Sequence, residues 1–370
     1  MQTDVLIIGQ GICGTFLSRE LERAGLSYVV IDEERPLTAS RAAAGLINPV
    51  TGRRLVKTWM IDELLPFVQE AYRQFEEESG AIFLRRVSVV DFFPTPQMRL
   101  AFLGRYEEDP AGYLRLPEDE HHWDGLFRYE LGYGLIDSCY LVDMQALLGS
   151  VRRQLAERGV LRAERFEREE LVAEPTRVRY RDVEARWAIF CDGIESMQNA
   201  YFSRLPFAPN KGEVLVVEIP EWAAGWAAAG VSGTAGDGSV PGMVFKKGMS
   251  LVPWKEGLYW VGSSYEWSFA DAGPTAAFRD KTEAVLREWL RAPFRVVEHI
   301  AAVRPATLER RPFVGFHPLH PAVGILNGMG TKGCSLAPYF ARQLMQQMVS
   351  GVAIQADADI VRFRKVLSHR

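Results

Sequence analysis

The feature that most constrains this chain lies in its first thirty-two residues. Residues 4–8 (Asp-Val-Leu-Ile-Ile) form a nearly continuous apolar run. Such a run suits a strand buried on both faces. It leads directly into Gly9-Gln10-Gly11-Ile12-Cys13-Gly14, a G-x-G-x-x-G. Residues 15–24 then place Phe16, Leu17, Leu21 and Ala24 at helical spacing, and Gly25 stops the helix. A second apolar run, residues 28–31, closes on Asp32 and Glu33. Strand, glycine loop, helix, strand and acid within about thirty residues make a βαβ unit for a dinucleotide. Gly9 permits the tight turn, Gly11 lets backbone approach a pyrophosphate, and Gly14 lets the helix pack close to the strand. Ile12 and Cys13 open the helix, whose free N–H groups and positive dipole end suit phosphate. Asp32 is placed to accept from ribose hydroxyls, with Glu33 beside it. This unit alone leaves FAD and NAD both open.

Composition narrows the remaining classes. The 370 residues imply two or three domains by length alone. Hydrophobic content of 48% and charged content of 24% are ordinary for a globular chain. Lys and Arg total 43 against 47 Asp and Glu, a net charge of −4 that gives no electrostatic reason to expect a nucleic-acid partner. Cys13, Cys139, Cys191 and Cys334 are scattered, with no C-x-x-C. Free buried thiols in a reducing cytoplasm are therefore expected. No run reaches the ~18 apolar residues of a membrane span. The alanine-rich stretch 222–236 is interrupted by glycine and serine, and residues 1–8 do not have the pattern of a signal peptide. The pairs His121-His122 and His317/His320 have no third ligand nearby, so no metal site is expected. The charge run 162–170 reads as a solvated face.

Four further segments carry chemistry. Ser40-Arg41-Ala42-Ala43-Ala44-Gly45-Leu46 offers small residues against which a flat ring can lie. Residues 188–193 (Ala-Ile-Phe-Cys-Asp-Gly) are a strand ending at Asp192 and Gly193. Residues 250–253 and 258–263, joined by a turn at 255–257, read as a β-hairpin. Last, Arg304-Pro305-Ala306-Thr307 precedes a strand at 322–327. A second glycine loop follows, Gly328-Met329-Gly330-Thr331-Lys332-Gly333, and then a helix from near Ser335 with Pro338 in its first turn.

With these segments the sequence resembles the FAD-dependent D-amino acid oxidase superfamily, in its glycine oxidase and sarcosine oxidase branches. The resemblance is specific over the first ~50 and last ~70 residues. Asp192 departs from the alanine usual in the family. The resemblance implies an α/β fold: a doubly wound FAD-binding domain (1–85, 137–205, 300–370) carrying an inserted mixed-sheet α+β substrate domain (86–136, 206–299). It implies non-covalent FAD, because no cysteine adjoins Arg304. It also implies oxidation of a C–N bond in a small amino acid or carboxylate-bearing secondary amine, by hydride transfer to flavin N5 with O2 as acceptor. Arg304 corresponds to the arginine that binds the substrate carboxylate. Ser40, Arg41, Ala44, Gly45 and Leu46 lie beside the flavin ring. Gly328, Met329, Gly330, Thr331 and Gly333 form the flavin-contacting loop, and Lys332 adds charge there. Trp254, Tyr259 and Tyr265, with Trp59 as a further candidate, are the expected aromatic walls; Arg310 and Arg311 are expected to be surface or loop-fixing charges.

The C-terminal block is also similar to the oxidase half of the bifunctional tRNA wobble-uridine modification enzyme. That similarity implies a less favoured alternative, a carboxymethylamino group on a modified tRNA base, with Arg41, Arg53, Arg54, Lys57, Lys246 and Lys247 as the charges a tRNA would need. A flavoprotein fold kept as a non-catalytic subunit is the third alternative.

Overall fold

The structure, a computed structural model, describes residues 1–52, 54–225, 243–255 and 257–368. Arg53, most of the alanine-rich stretch and Glu256 of the expected hairpin turn lie outside the described residues.

Two sheets organise the chain. The first is built on the N-terminal unit. Gln2–Ile8 pairs in parallel with Tyr28–Ile31 on one side and with Val183–Phe190 on the other. Leu161–Arg162 extends it beyond Tyr28–Ile31, and His320–Asn327 pairs in parallel with the last residues of Val183–Phe190. Antiparallel strands complete the side beyond Val183–Phe190, with Val178–Tyr180 along its first residues and Phe313–His317 beside His320–Asn327. The apolar run at residues 4–8 has its physical cause here. Val5 and Ile7 enter one core and Leu6 and Ile8 the opposite one, all at most 2% exposed.

Helix Ile12–Arg23 leaves the glycine loop and packs on the C-terminal helix Gly333–Ser350. The buried Glu20 ties the two together, accepting from Arg342 at 2.7 and 3.0 Å. The C-terminal helix starts at Gly333, two residues before the position expected from sequence, so Pro338 falls in its second turn. Proline lacks the N–H that would reach the Cys334 carbonyl; the Tyr72 hydroxyl donates to that carbonyl instead, at 3.1 Å.

The second sheet has the order Arg295–Arg304, Asn210–Glu218, Leu258–Gly262, Met249–Lys255, Met243–Lys247, Leu84–Phe92, Tyr133–Val142 and Leu46–Ile47. Pairing is antiparallel except between Met243–Lys247 and Leu84–Phe92. The expected hairpin is present as Met249–Lys255 against Leu258–Gly262. One face of this sheet, with Leu215, Val217, Tyr259 and Val261, packs into its own core with Trp289. The other face, with Val214, Val216, Val252 and Trp260, joins the core shared with the first sheet and its helices. The mixed α/β fold expected from the sequence is thus the one observed.

Candidate active site

A cavity of about 790 Å³ lies between the carboxyl ends of the first sheet's parallel strands and the inner face of the second sheet. That volume is in the upper part of the range of small-molecule and cofactor sites. Crevices at the carboxyl ends of parallel strands are where open α/β sheets bind ligands.

Its floor is the first glycine loop. Gly9 has φ +99°, and a Cβ there would meet the Cys191 carbonyl oxygen at 2.7 Å. A Cβ on Gly14 would overlap the Gly9 carbonyl, so Gly14 serves helix packing and does not reach the cavity wall. Gly11, Ile12 and Cys13 do line it. The N-cap residue Gly11 gives helix Ile12–Arg23 no side-chain cap, and among the described residues none supplies an acceptor to the N–H groups of Cys13 and Gly14. Ser40 Oγ accepts from Ile12 N–H at 3.1 Å, drawing the 39–46 segment over the loop.

Asp32 and Glu33 line the cavity, but Asp32 is already engaged. It accepts from Gln10 N–H (2.8 Å), Glu34 N–H (2.9 Å) and the Arg152 guanidinium (2.7 Å). A carboxylate has about four acceptor positions, so one remains for a hydroxyl.

The charge run at 162–170 corrects the sequence expectation. Glu164 through Glu169 wall the cavity. Phe166 stacks on Tyr180, with centroids 4.9 Å apart, and Arg168 pairs with Glu195 at 2.6 Å. Glu195 also holds Arg35, at 2.6 Å. The run's charges meet acids and bases from other segments, which its own composition does not show.

At the opposite end the second glycine loop enters. Met329, Gly330, Thr331, Gly333 and Cys334 line the cavity. Gly328 has φ +76° and packs against Thr307 and Phe313 outside the wall. The C-terminal helix is also uncapped at its start. Asn327, which sequence reasoning missed, joins this loop to the Asp192–Gly193 turn. Its amide donates to Gly193 O (2.8 Å) and Ser196 Oγ (2.9 Å), and its Oδ1 accepts from Gly328 N–H (2.8 Å). Asp192 and Gly193 both line the cavity. Burial pushes the Asp192 carboxyl up to about 7, against the hydrogen bond from Ser196 that favours its charged form.

Lys332 does not line the wall. Burial pulls its ammonium down to about 8, and the buried Cys139 and Cys334 thiols are near it. Among the described residues no carboxylate pairs with it.

Arg304 lines the cavity from the second sheet. Its guanidinium lies flat over Gly212, where any Cβ would overlap it. It donates to Asn210 Oδ1 (2.6 Å), Ser263 Oγ (2.7 Å) and Ser264 O (3.4 Å), and sits 5.5 Å from the Tyr265 ring centre. Loss of solvent lowers its pKa, and among the described residues no acid stands within 4 Å of it.

The aromatic walls differ from those expected. Tyr259 points into the far core of the second sheet. Its neighbour Trp260 faces the cavity instead, with Nε1 donating to Ala42 O at 3.0 Å. Trp254 packs half-buried against the shared core, outside the wall. Trp59 stacks on Phe340 beneath Arg311, whose guanidinium carbon is 4.3 Å from the ring centre. Tyr265 is beyond the wall, at the mouth. Arg41, Ala44, Gly45 and Leu46 line the cavity.

Of the charges proposed for tRNA, Arg41 pairs with Glu34, Lys57 with Asp62 and Lys246 with Asp91, while Lys247 donates to Arg128 O.

A parallel-sheet dinucleotide fold with a two-ended glycine-loop cavity, roofed by a second sheet that brings in an arginine, defines a flavin-dependent oxidoreductase. The family model for DAO, FAD dependent oxidoreductase, matches residues 4–347, and the chain belongs to that family. A glycine oxidase of Pseudomonas aeruginosa is 25% identical over 95% of this chain and 96% of its own length. The iminodiacetate oxidase of Chelativorans sp. BNC1 superposes with a TM-score of 0.74 at 22% identity, covering 96% of this chain and 98% of its own. A glycine oxidase of Bacillus cereus gives 0.76 at 16% identity over 100% and 99%. These two structural likenesses are statements about fold. FAD is the cofactor of the family, and the cavity fits it: a glycine turn that no side chain could occupy, and two helix N-termini at its wall whose N-cap residues supply no side-chain cap.

Proposed function

We propose that this enzyme oxidises the C–N bond of a small amino acid or carboxylate-bearing secondary amine. The supporting observation is Arg304. A guanidinium held in a cavity by neutral partners, with no acid beside it among the described residues, is set to receive an anion. Its planar fork suits a carboxylate. The relatives named glycine oxidase and iminodiacetate oxidase are consistent with this reading. Bound FAD, held non-covalently, supplies the hydride acceptor at N5, and O2 carries the electrons away as hydrogen peroxide.

The chain's own residues bind and orient. Arg304 fixes the carboxylate end of the substrate, and Asn210 and Ser263 fix Arg304. Trp260, Val214 and Val252 supply an apolar wall that keeps water from the reacting carbon. An amine that arrives neutral needs no protein base, which suits a wall without a nucleophile–base pair. The imine product hydrolyses in water.

The test is an anaerobic visible spectrum of the holoenzyme with glycine, sarcosine, D-alanine, D-proline and L-proline added in turn. Bleaching by one of them is expected. In the Arg304→Ala variant the KM of that substrate should rise by about 30-fold or more, the cost of ~2–5 kcal/mol for losing one partner of a desolvated charge pair. An unchanged KM would sink the carboxylate assignment.

A further inference from the structure

We propose that Tyr265 and Trp267 form an aromatic platform at the cavity mouth that selects substrates carrying a flat ring close to their carboxylate; this rests on the carboxylate reading of Arg304. Among the described residues Trp267 is the one exposed tryptophan, at 49%, and Tyr265 is 48% exposed. Their rings meet edge to face with centroids 5.2 Å apart. What sets them apart from other exposed apolar residues is that the two rings touch each other and one of them also contacts Arg304, so they form one continuous aromatic surface beside the cavity.

Their placement follows from strand alternation. Lys211 and Glu266 pair across the antiparallel bridge, N–H to carbonyl in both directions at 2.9 and 3.0 Å. Lys211 points away from the cavity, to the buried Glu213. Tyr265 and Trp267, one residue either side of Glu266, therefore share the face of Asn210, Gly212 and Arg304. The contact of Tyr265 with Arg304 confirms that direction. The cavity reaches solvent along this same loop, at the exposed wall residues Ser263 and Ala272.

The ledge is fixed before any ligand arrives. Ser264 N–H donates to Glu213 O (3.0 Å), and Glu213 N–H donates back to Ser264 Oγ (2.9 Å). At the loop's far end, Glu213 accepts from Thr275 N–H (2.6 Å) and its hydroxyl (2.9 Å). A preformed aromatic surface loses little freedom on binding. The guanidinium and the phenol ring centre lie 5.5 Å from each other, so a ligand that meets both carries its ring a short spacer away from its carboxylate.

The occupant is thus an amino acid or secondary amine with an aromatic or heteroaromatic substituent. The matched pair sarcosine and N-benzylglycine, which differ by one phenyl group, tests it. In anaerobic reduction of the holoenzyme, N-benzylglycine is expected to have at least tenfold higher kcat/KM than sarcosine. Trp267→Ala should lower that ratio by about tenfold, a loss of the size expected for ring contacts. A wild-type ratio near one, or a ratio unmoved by both Trp267→Ala and Tyr265→Leu, overturns the platform. Calorimetric titration with 3-phenylpropionate and propionate reads the platform without turnover. Their dissociation constants should differ about tenfold in the wild type and converge in Trp267→Ala; equal constants in the wild type overturn the proposal. If neither amine reduces the protein while the two acids are still discriminated, the oxidation reading fails and the platform stands.

Discussion

At the scale of single residues, identity was easier to read than surroundings. Arg304, Gly9, Gly11 and Ser40 stand in the cavity as their sequence context implied. Asp32 does too, yet three of its acceptor positions are filled by Gln10, Glu34 and Arg152. Arg152 lies far along the chain, and no local pattern links it to Asp32. Asp192 shows the converse. Its departure from alanine is visible in sequence, but its consequence depends on burial. In the folded state its carboxyl titrates near 7, against 3.8 when unperturbed. The folded form therefore binds the proton more tightly than the unfolded form. That contribution to stability is fully present below about pH 4 and is lost as pH rises through about 7. With Arg168 and Glu195 nearby in both proteins, Asp192→Asn should flatten the fall in apoprotein melting temperature between pH 4 and 7. Parallel melting curves for the two proteins across that range would remove Asp192 as the cause.

At the scale of elements, strand alternation decided what periodicity alone left open. Residues 258–262 were legible as a strand, because the run is short, apolar and bounded by glycines. Which of Tyr259 and Trp260 faces the cavity was not legible, because a one-residue shift of register exchanges the two faces. Pairing of Val216 with Trp260 and Val217 with Tyr259 settles it. The same alternation puts Gly212 beneath Arg304. A methyl group at Gly212 would displace the guanidinium while leaving its charge in the protein. Gly212→Ala is therefore expected to reproduce most of the KM increase of Arg304→Ala, with the melting temperature little changed, since the displaced group is the end of a flexible side chain. Steady-state kinetics beside a thermal melt would check it, and a wild-type KM would show that Arg304 acts from another position.

At the scale of the whole molecule, the cavity is an interface between two sheets, and its contents join them. Ligand that binds only the folded form stabilises it by mass action, about 2.7 kcal/mol at a hundredfold excess over Kd. Removing FAD should lower the melting temperature by several degrees, and adding FAD back should restore it in a concentration-dependent way. A melting temperature indifferent to FAD would mean that the cavity does not hold it.

The sequence by itself determined the parts built from neighbours in the chain. The βαβ unit, the second glycine loop, the hairpin and the Arg304 segment each depend on backbone requirements within a few residues: a positive φ, a free helix N-terminus, an apolar period of two. Those requirements leave a local imprint on residue choice. The tertiary structure alone decided what converges. The 164–169 segment is indistinguishable from a solvated face until Arg168 meets Glu195. Asn327 is an ordinary strand end until its amide spans to Gly193 and Ser196. Tyr265 and Trp267 are two surface aromatics until the Lys211–Glu266 bridge turns them toward Arg304. These contacts span dozens to well over a hundred residues of chain, and only the pairing of distant strands within each sheet brings them within a few ångströms.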